Sequence, residues 1–177
     1  DPSNKLKLVG ITGTNGKTTS TFILKNILQS AGYKTGLVGT IANYVGDVKV
    51  DSKLTTPESN DLNRFFYDMI EAGCSHAIME VSSHSLVLNR VYGLDFSAAI
   101  FSNITSDHLD FHQTFDEYLN AKKILFDGLG SNSFAIINSD DSNSNKMIKD
   151  CKAKIVTYGI ADNSDYQIKN VFYDLNG

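Results

Sequence analysis

The clearest chemistry lies near the start of the chain, in Gly13-Thr14-Asn15-Gly16-Lys17-Thr18-Thr19. Gly13 and Gly16 let the backbone turn its amides inward around anionic oxygens. Lys17 can neutralise the β and γ phosphates of a nucleotide, and the Thr18 hydroxyl can ligate magnesium. A helix beginning near Lys17 adds the positive end of its dipole. The common form of such a loop, GxxxxGK[ST], needs glycine five residues before Gly16, and Ile11 stands there, so this is the shorter GxxGKT. The competing reading is a strand-to-helix turn that is merely glycine-rich. Strand, loop, Lys-Thr and helix in succession argue for the phosphate loop.

A second group of residues suits a metal. Glu80, in Met79-Glu80-Val81-Ser82-Ser83-His84, falls at the predicted carboxyl end of a strand, where open parallel sheets bind ligands. Its hard oxygens suit the magnesium that phosphate transfer from ATP needs, although alone it also reads as a helix-start carboxylate. Asp107, His108, Asp110 and His112 crowd the end of the next strand, a density of titratable groups that favours a site over a solvated loop. Spacing alone does not single out which of them touches a metal. His76 precedes an apolar run and reads as structural. Lys122 and Lys123 read as the solvated face of a helix.

Elements to position these groups follow from the apolar pattern. Strands are expected at 5–12, 35–41, 76–81, 96–101, 134–137 and 154–158, with a further one, on an edge, at 165–174. Helices are expected at 18–31, with Phe22, Ile23, Ile27 and Leu28 on the packed face, and at 58–72, 82–91, 114–129 and 142–151. Residues 44–50, with Gly46-Asp47 at the centre, read as a hairpin. Pro57 makes Leu54-Thr55-Thr56-Pro57 a loop. The strands alternate with helices and most are continuously apolar. The fold class is therefore α/β, a mostly parallel sheet with helices on both faces.

Composition bounds the function. The 177 residues suffice for one domain with a sizeable core. Sixteen Lys and Arg against twenty Asp and Glu give a net charge of −4, which argues against a broad basic surface for nucleic acid. No apolar run reaches the roughly twenty residues that span a bilayer, so membrane insertion is not expected. The two cysteines, Cys74 and Cys151, form no disulfide framework or CxxC pair, which fits a reducing cytoplasm. The chain opens on Asp1 rather than Met, so it is expected to be a piece of something longer.

Taken together, Gly13–Thr19, Leu54–Pro57, Glu80–His84, Asn103–Asp110 and Asn120-Ala121-Lys122 resemble the Mur ligases, in the same order and approximate spacing. These are ATP-dependent amide-bond-forming enzymes of peptidoglycan synthesis. The combination looks most like the branch that adds the third amino acid of the stem peptide. The resemblance runs over nearly the whole chain. It implies a P-loop NTPase-like central domain over 1–177, incomplete at its carboxyl end. Flanking domains for the uridine nucleotide and for the incoming amino acid lie outside it. It implies ATP and magnesium as cofactors, with Gly13 to Thr19 on the nucleotide. Lys17, His108 and Lys122 are implied as catalytic residues. Thr18, Glu80, His108 and Lys122 are implied as metal ligands, Lys122 as a carbamate, whose negative charge holds magnesium where an ammonium repels it. Thr55, Thr56, Ser82 and Arg90 match positions that hold UDP-MurNAc-L-Ala-D-Glu, and Arg90 is one of only two arginines.

Leu54 and Leu88 stand where some relatives carry polar residues. The third residue is implied to be L-lysine or meso-diaminopimelate, joined through an acyl phosphate. A cytoplasmic monomer is expected, with little or no activity in the fragment alone. The rivals are another Mur ligase, a folylpolyglutamate or cyanophycin type of amide ligase, a P-loop small-molecule kinase, and a non-catalytic nucleotide-binding module.

Overall fold

The computed structural model of the chain describes residues 2–107, 109–160 and 163–170, and only the backbone of residues 109 and 110. Its centre is a nine-stranded sheet in the order β4-β3-β2-β5-β1-β6-β7-β8-β9. The strands are β1 Lys7–Thr12, β2 Thr35–Val38, β3 Asn43–Val45, β4 Val48–Val50, β5 His76–Glu80, β6 Phe96–Phe101, β7 Phe134–Asn138, β8 Lys154–Gly159 and β9 Tyr166–Gln167. In the sheet order from β2 across to β9 every pairing is parallel, and at the other edge the β2–β3 and β3–β4 pairings are antiparallel. Near-continuous apolar runs in β1, β2 and β5 are what burial on both faces requires.

The helices are α1 Lys17–Ser30, α2 Ser59–Glu71, α3 Ser83–Val87, α4 Leu109–His112, α5 Phe115–Asp127 and α6 Ser144–Met147. From β1 the chain steps one way across the sheet to β2. From β5 onward it steps the other way. Right-handed crossovers then put α1 on one face and α2, α3, α5 and α6 on the other. The side chains agree. Phe22 of α1 meets Tyr44 of β3 edge-on at 6.0 Å, while Phe126 of α5 meets Phe101 of β6 at 6.4 Å. Above Gly36 of β2 lies Met69 of α2, so close that a Cβ there would collide with its sulfur. The larger core, with Leu8, Phe66, Met79, Phe101, Phe126 and Ile137, lies on the α2–α6 side.

The differences from the expected elements are local. β1 begins at Lys7 because a 3-10 turn occupies Pro2–Lys5. β2 stops at Val38, and residues 39–40 turn toward Glu80. The helix expected at 82–91 closes after Val87, where Asn89 takes φ 56°. That expected at 142–151 shrinks to Ser144–Met147, and α4 forms where a loop was expected. Of the strand expected at 165–174 only Tyr166–Gln167 pairs, and 171–174 lie outside the described residues. In α1 the fully packed residues are Thr21 and Lys25; of the expected apolar face Phe22 and Leu28 are half-buried, while Ile23 and Ile27 are 54% and 58% exposed.

Candidate active site

The carboxyl ends of β1, β2, β5 and β6 open on a cleft of about 620 Å³. β1 delivers the loop 13–16 into it. Gly13 has φ 154° and Gly16 has φ 86°. A Cβ on Gly13 would fall on the Ser102 hydroxyl and 3.0 Å from the Asn103 carbonyl, so the loop can lie against the end of β6 only if residue 13 is glycine. Asn103 then fastens the loop. Its carbonyl accepts from Thr14 N–H at 2.8 Å, its Oδ1 from Asn15 N–H at 3.0 Å, and its Nδ2 donates to Asn15 O at 3.0 Å.

Lys17 opens α1 and donates to Gly13 O at 2.8 Å and Thr14 O at 2.9 Å. Burial pushes its amine below the ordinary lysine range, against the opposing pull of Glu80 and Asp107. Thr18 donates to Glu80 Oε2 at 3.0 Å. Thr19 is exposed on the rim.

Glu80 is the hub. It is 1% exposed and accepts three hydrogen bonds: Thr18 Oγ1, Thr40 Oγ1 at 3.0 Å, and Thr40 N–H at 2.9 Å. All of these donors are neutral, and the nearby Lys17 acts on the carboxylate through its charge rather than by a hydrogen bond. Its backbone carbonyl accepts from Thr56 Oγ1 at 2.8 Å.

Lys122 corrects the reading of a solvated face. Projecting from α5, it is 1% exposed, donates to Gly13 O at 3.0 Å and lies 4.4 Å from the centre of the Tyr118 ring. Burial, reinforced by the neighbouring Lys17 charge, lowers its pKa to about 7. Lys123 is the outward one, paired with Asp127 and Asp150 at 2.6 Å each.

The opposite wall carries the expected acceptor residues. Thr55 accepts from Thr40 Oγ1 at 3.0 Å. Thr56, 1% exposed, accepts from Ser82 N–H at 3.1 Å. Ser82 caps α3 by accepting from Ser85 N–H at 3.1 Å. The left-handed turn at Asn89 swings Arg90 back, so that it donates to Thr56 O at 3.2 Å and pairs with Glu58 at 2.8 Å.

The cleft thus gathers Thr14 to Thr19, Thr55, Thr56, Glu80, Ser82, Arg90 and Lys122. His108 lies outside the described residues, as does the Asp110 side chain. Asp107 acts on Lys17 and Lys122 through its charge. His112 is buried and 2.8 Å from Ser83 Oγ. His76 sits at the far, amino end of β5, its ring tilted against Tyr33 at 4.5 Å. Among the described residues, no three His, Cys, Asp or Glu side chains cluster as a metal site would need.

Three cleft contributors are absent from the sequence reading. Thr40 supplies two of the three donors to Glu80. Tyr118, fully buried, places its hydroxyl 3.2 Å from Thr14 Oγ1. Ser102 donates to Asn15 O at 2.8 Å. For Thr40 the available signal was Gly39-Thr40 directly after an apolar strand. For Tyr118 nothing in the sequence distinguishes it from a core aromatic.

The arrangement can seat a nucleotide phosphate between the loop amides and Lys17. It can hold a divalent cation against Thr18 and Glu80, and it can bring an anionic acceptor to the Thr56–Arg90 wall. Known proteins share this sequence and fold. The chain is 52% identical over its whole length to a UDP-N-acetylmuramoyl-L-alanyl-D-glutamate–2,6-diaminopimelate ligase of Clostridium botulinum, covering 36% of that protein. It is 50% identical over 99% of its length to the ligase of the same name from Cytophaga hutchinsonii, again covering 36%. A solved structure of such a ligase superposes with TM-score 0.84 at 32% identity, over 97% of this chain and 36% of that one. The fold alone is shared with a Thermotoga maritima MurF ligase, at TM-score 0.64 and 17% identity over 98% of this chain and 38% of that one. The chain therefore spans about a third of the length of the relatives it matches. With the Mur ligase middle domain matching residues 11–177, the chain belongs to the Mur ligase family.

Proposed function

We propose that this chain is the ATP-binding middle part of a ligase that adds the third amino acid to UDP-MurNAc-L-Ala-D-Glu in the cytoplasm. The observation that carries the reading is the meeting in one cleft of a phosphate loop, a buried carboxylate, a buried amine and an acceptor wall. In this reading the γ-phosphoryl of ATP passes to the free side-chain carboxylate of the D-glutamate. The amino group of the incoming residue then attacks the acyl phosphate, and phosphate leaves. The names of the two relatives favour diaminopimelate over lysine as that residue.

Lys17 leaves the carbonyls of Gly13 and Thr14 to meet the phosphates, while the loop amides and the amino end of α1 hold their oxygens. Thr55, Thr56, Ser82 and Arg90 orient the acceptor carboxylate for in-line attack. Removing one such preorganised charge contact costs about 10²–10³ in rate.

The residues fit magnesium. Glu80 is buried with neutral donors only, and the Thr18 hydroxyl beside it offers a second hard oxygen. Lys122, with its pKa near 7, has a neutral amine to react with carbon dioxide, and the carbamate replaces its repulsion of Lys17 by attraction. Thr18, Glu80, His108 and carbamylated Lys122 would hold the ion, which offsets charge on the transferring phosphoryl group. The uridine nucleotide and the incoming amino acid fall to flanking domains, and the enzyme works as a monomer.

The test is phosphate release by the complete gene product. Release that requires both the UDP-muramoyl dipeptide and the amino acid supports the ligase. ADP formation with the dipeptide alone, the phosphoryl group staying on the dipeptide and no phosphate released, would make it a kinase, and phosphate release with neither substrate a simple ATPase.

A further inference from the structure

We propose that Glu58 sets the affinity for the acceptor by occupying the face of Arg90 that a carboxylate of the acceptor takes. This rests on the reading that Arg90 faces the acceptor.

Glu58 stands at the N-cap of α2, with φ −65° and ψ 155°, yet its side chain makes no capping hydrogen bond. Its Oε1 lies instead 2.8 Å from Arg90 Nη2. The two partners differ sharply in exposure. The Glu58 side chain is 56% exposed, the Arg90 side chain 16%. Arg90 is further fixed by Nη1 donating to Thr56 O at 3.2 Å. Thr56 and Glu58 flank Pro57, so Arg90 grips both ends of one rigid turn.

The third edge of the guanidinium is unsatisfied. Arg90 Nε is buried and has no hydrogen-bond partner among the described residues. Glu58 therefore meets a two-pronged donor through one contact, and a buried N–H is left without an acceptor, a costly state. A carboxylate lying along the Nη2–Nε edge makes two parallel bonds and supplies the missing acceptor. Glu58 loses little on leaving, because it is already half in water, and Arg90 stays anchored through Thr56. A carboxylate is thus the chemical class best able to displace it, and displacement is the energetic toll on acceptor binding.

The experiment is steady-state kinetics of the complete gene product with Glu58→Gln, varying the acceptor at saturating ATP and amino acid. The expected result is an acceptor KM about fivefold lower at low salt, with kcat and melting temperature unchanged, the size of effect that a half-exposed ion pair gives. The difference should shrink as salt screens the pair. Glu58→Ala should shift KM the same way. An acceptor KM that is unchanged or raised in both variants overturns the proposal, since Glu58 would then be inert or a support for Arg90. Arg90→Lys is the control on the underlying reading. If it leaves acceptor KM unchanged, Arg90 does not face the acceptor, and the proposal falls for that separate reason.

Discussion

Replacing Gly13 by alanine tests the construction of the phosphate loop more directly than any charged residue does. The new Cβ lands on the Ser102 hydroxyl, 3.0 Å from Asn103 O and 3.2 Å from Asn103 N, at φ 154°. Backbone held in such a sparsely populated region costs about 1–3 kcal/mol, and overpacking a tight contact costs about 1–3 kcal/mol more. A loss near 4 kcal/mol follows, roughly 8–16 °C in melting temperature for a chain of this size. Ser102→Ala alone removes the bond to Asn15 O and should cost about 1 kcal/mol. The double variant relieves the hydroxyl collision but not the backbone one. It should therefore be less destabilised than the sum of the singles by about 1 kcal/mol or more. Thermal unfolding of the four proteins by circular dichroism measures all of this. A Gly13→Ala melting temperature within about 2 °C of the parent refutes the steric reasoning, and so does strict additivity in the cycle.

Other expectations are equally specific. Lys17→Ala in the complete enzyme should abolish acyl-phosphate formation with the melting temperature preserved; normal turnover would contradict its phosphate role. Lys122→Ala should lose activity that added short-chain carboxylates partly restore, and full activity without rescue would remove the carbamate from the reading. The Lys122 pKa also predicts a pH dependence of stability. Between about pH 7 and 10.5 the folded state binds fewer protons than the unfolded one, so unfolding free energy should rise with pH, by at most about 1.4 kcal/mol per unit from this group. Lys122→Met should flatten that slope, whereas an unchanged slope in urea titrations would assign it elsewhere. Cys74, buried and with its thiol pKa raised mainly by burial, should react with iodoacetamide more slowly than half-exposed Cys151, as peptide mapping would register.

Much of this architecture was legible because strands and phosphate loop carry short-range signals. The run from Leu8 to Thr12 followed by Gly-x-x-Gly-Lys-Thr admits few other folds, and β5 and β6 were placed within a residue. The failures share a cause: a site imposed its geometry on a helix. In α1 the apolar Ile23 and Ile27 argue for one packed face. The helix, however, must present Thr18 to Glu80, and positions 21 and 25 lie on the same stripe as 18. Thr21 closes onto Thr18 O at 2.8 Å and Lys25 covers the Tyr44 ring at 4.8 Å, so polar residues are packed and isoleucines face outward. Lys122 is the same lesson reversed. Beside Lys123 it looks like surface charge, and only the placement of α5 behind Gly13 puts it inside. Thr40 left only the faint mark of Gly39-Thr40 after an apolar strand, because its partner is forty residues away.

Glu80 joins segments that otherwise have no business with one another. Thr18 belongs to the nucleotide loop and Thr40 to the end of β2, and Thr40 also bonds Thr55 of the acceptor wall. A ligand that pulls Glu80 toward one side must alter the hydrogen bonding on the other. Such coupling is reciprocal: whatever factor occupancy near Thr18 imposes on affinity near Thr55, the reverse occupancy imposes equally. One carboxylate, read this way, is the balance arm of the cleft, and filling either side resets the affinity of the other through a single side chain.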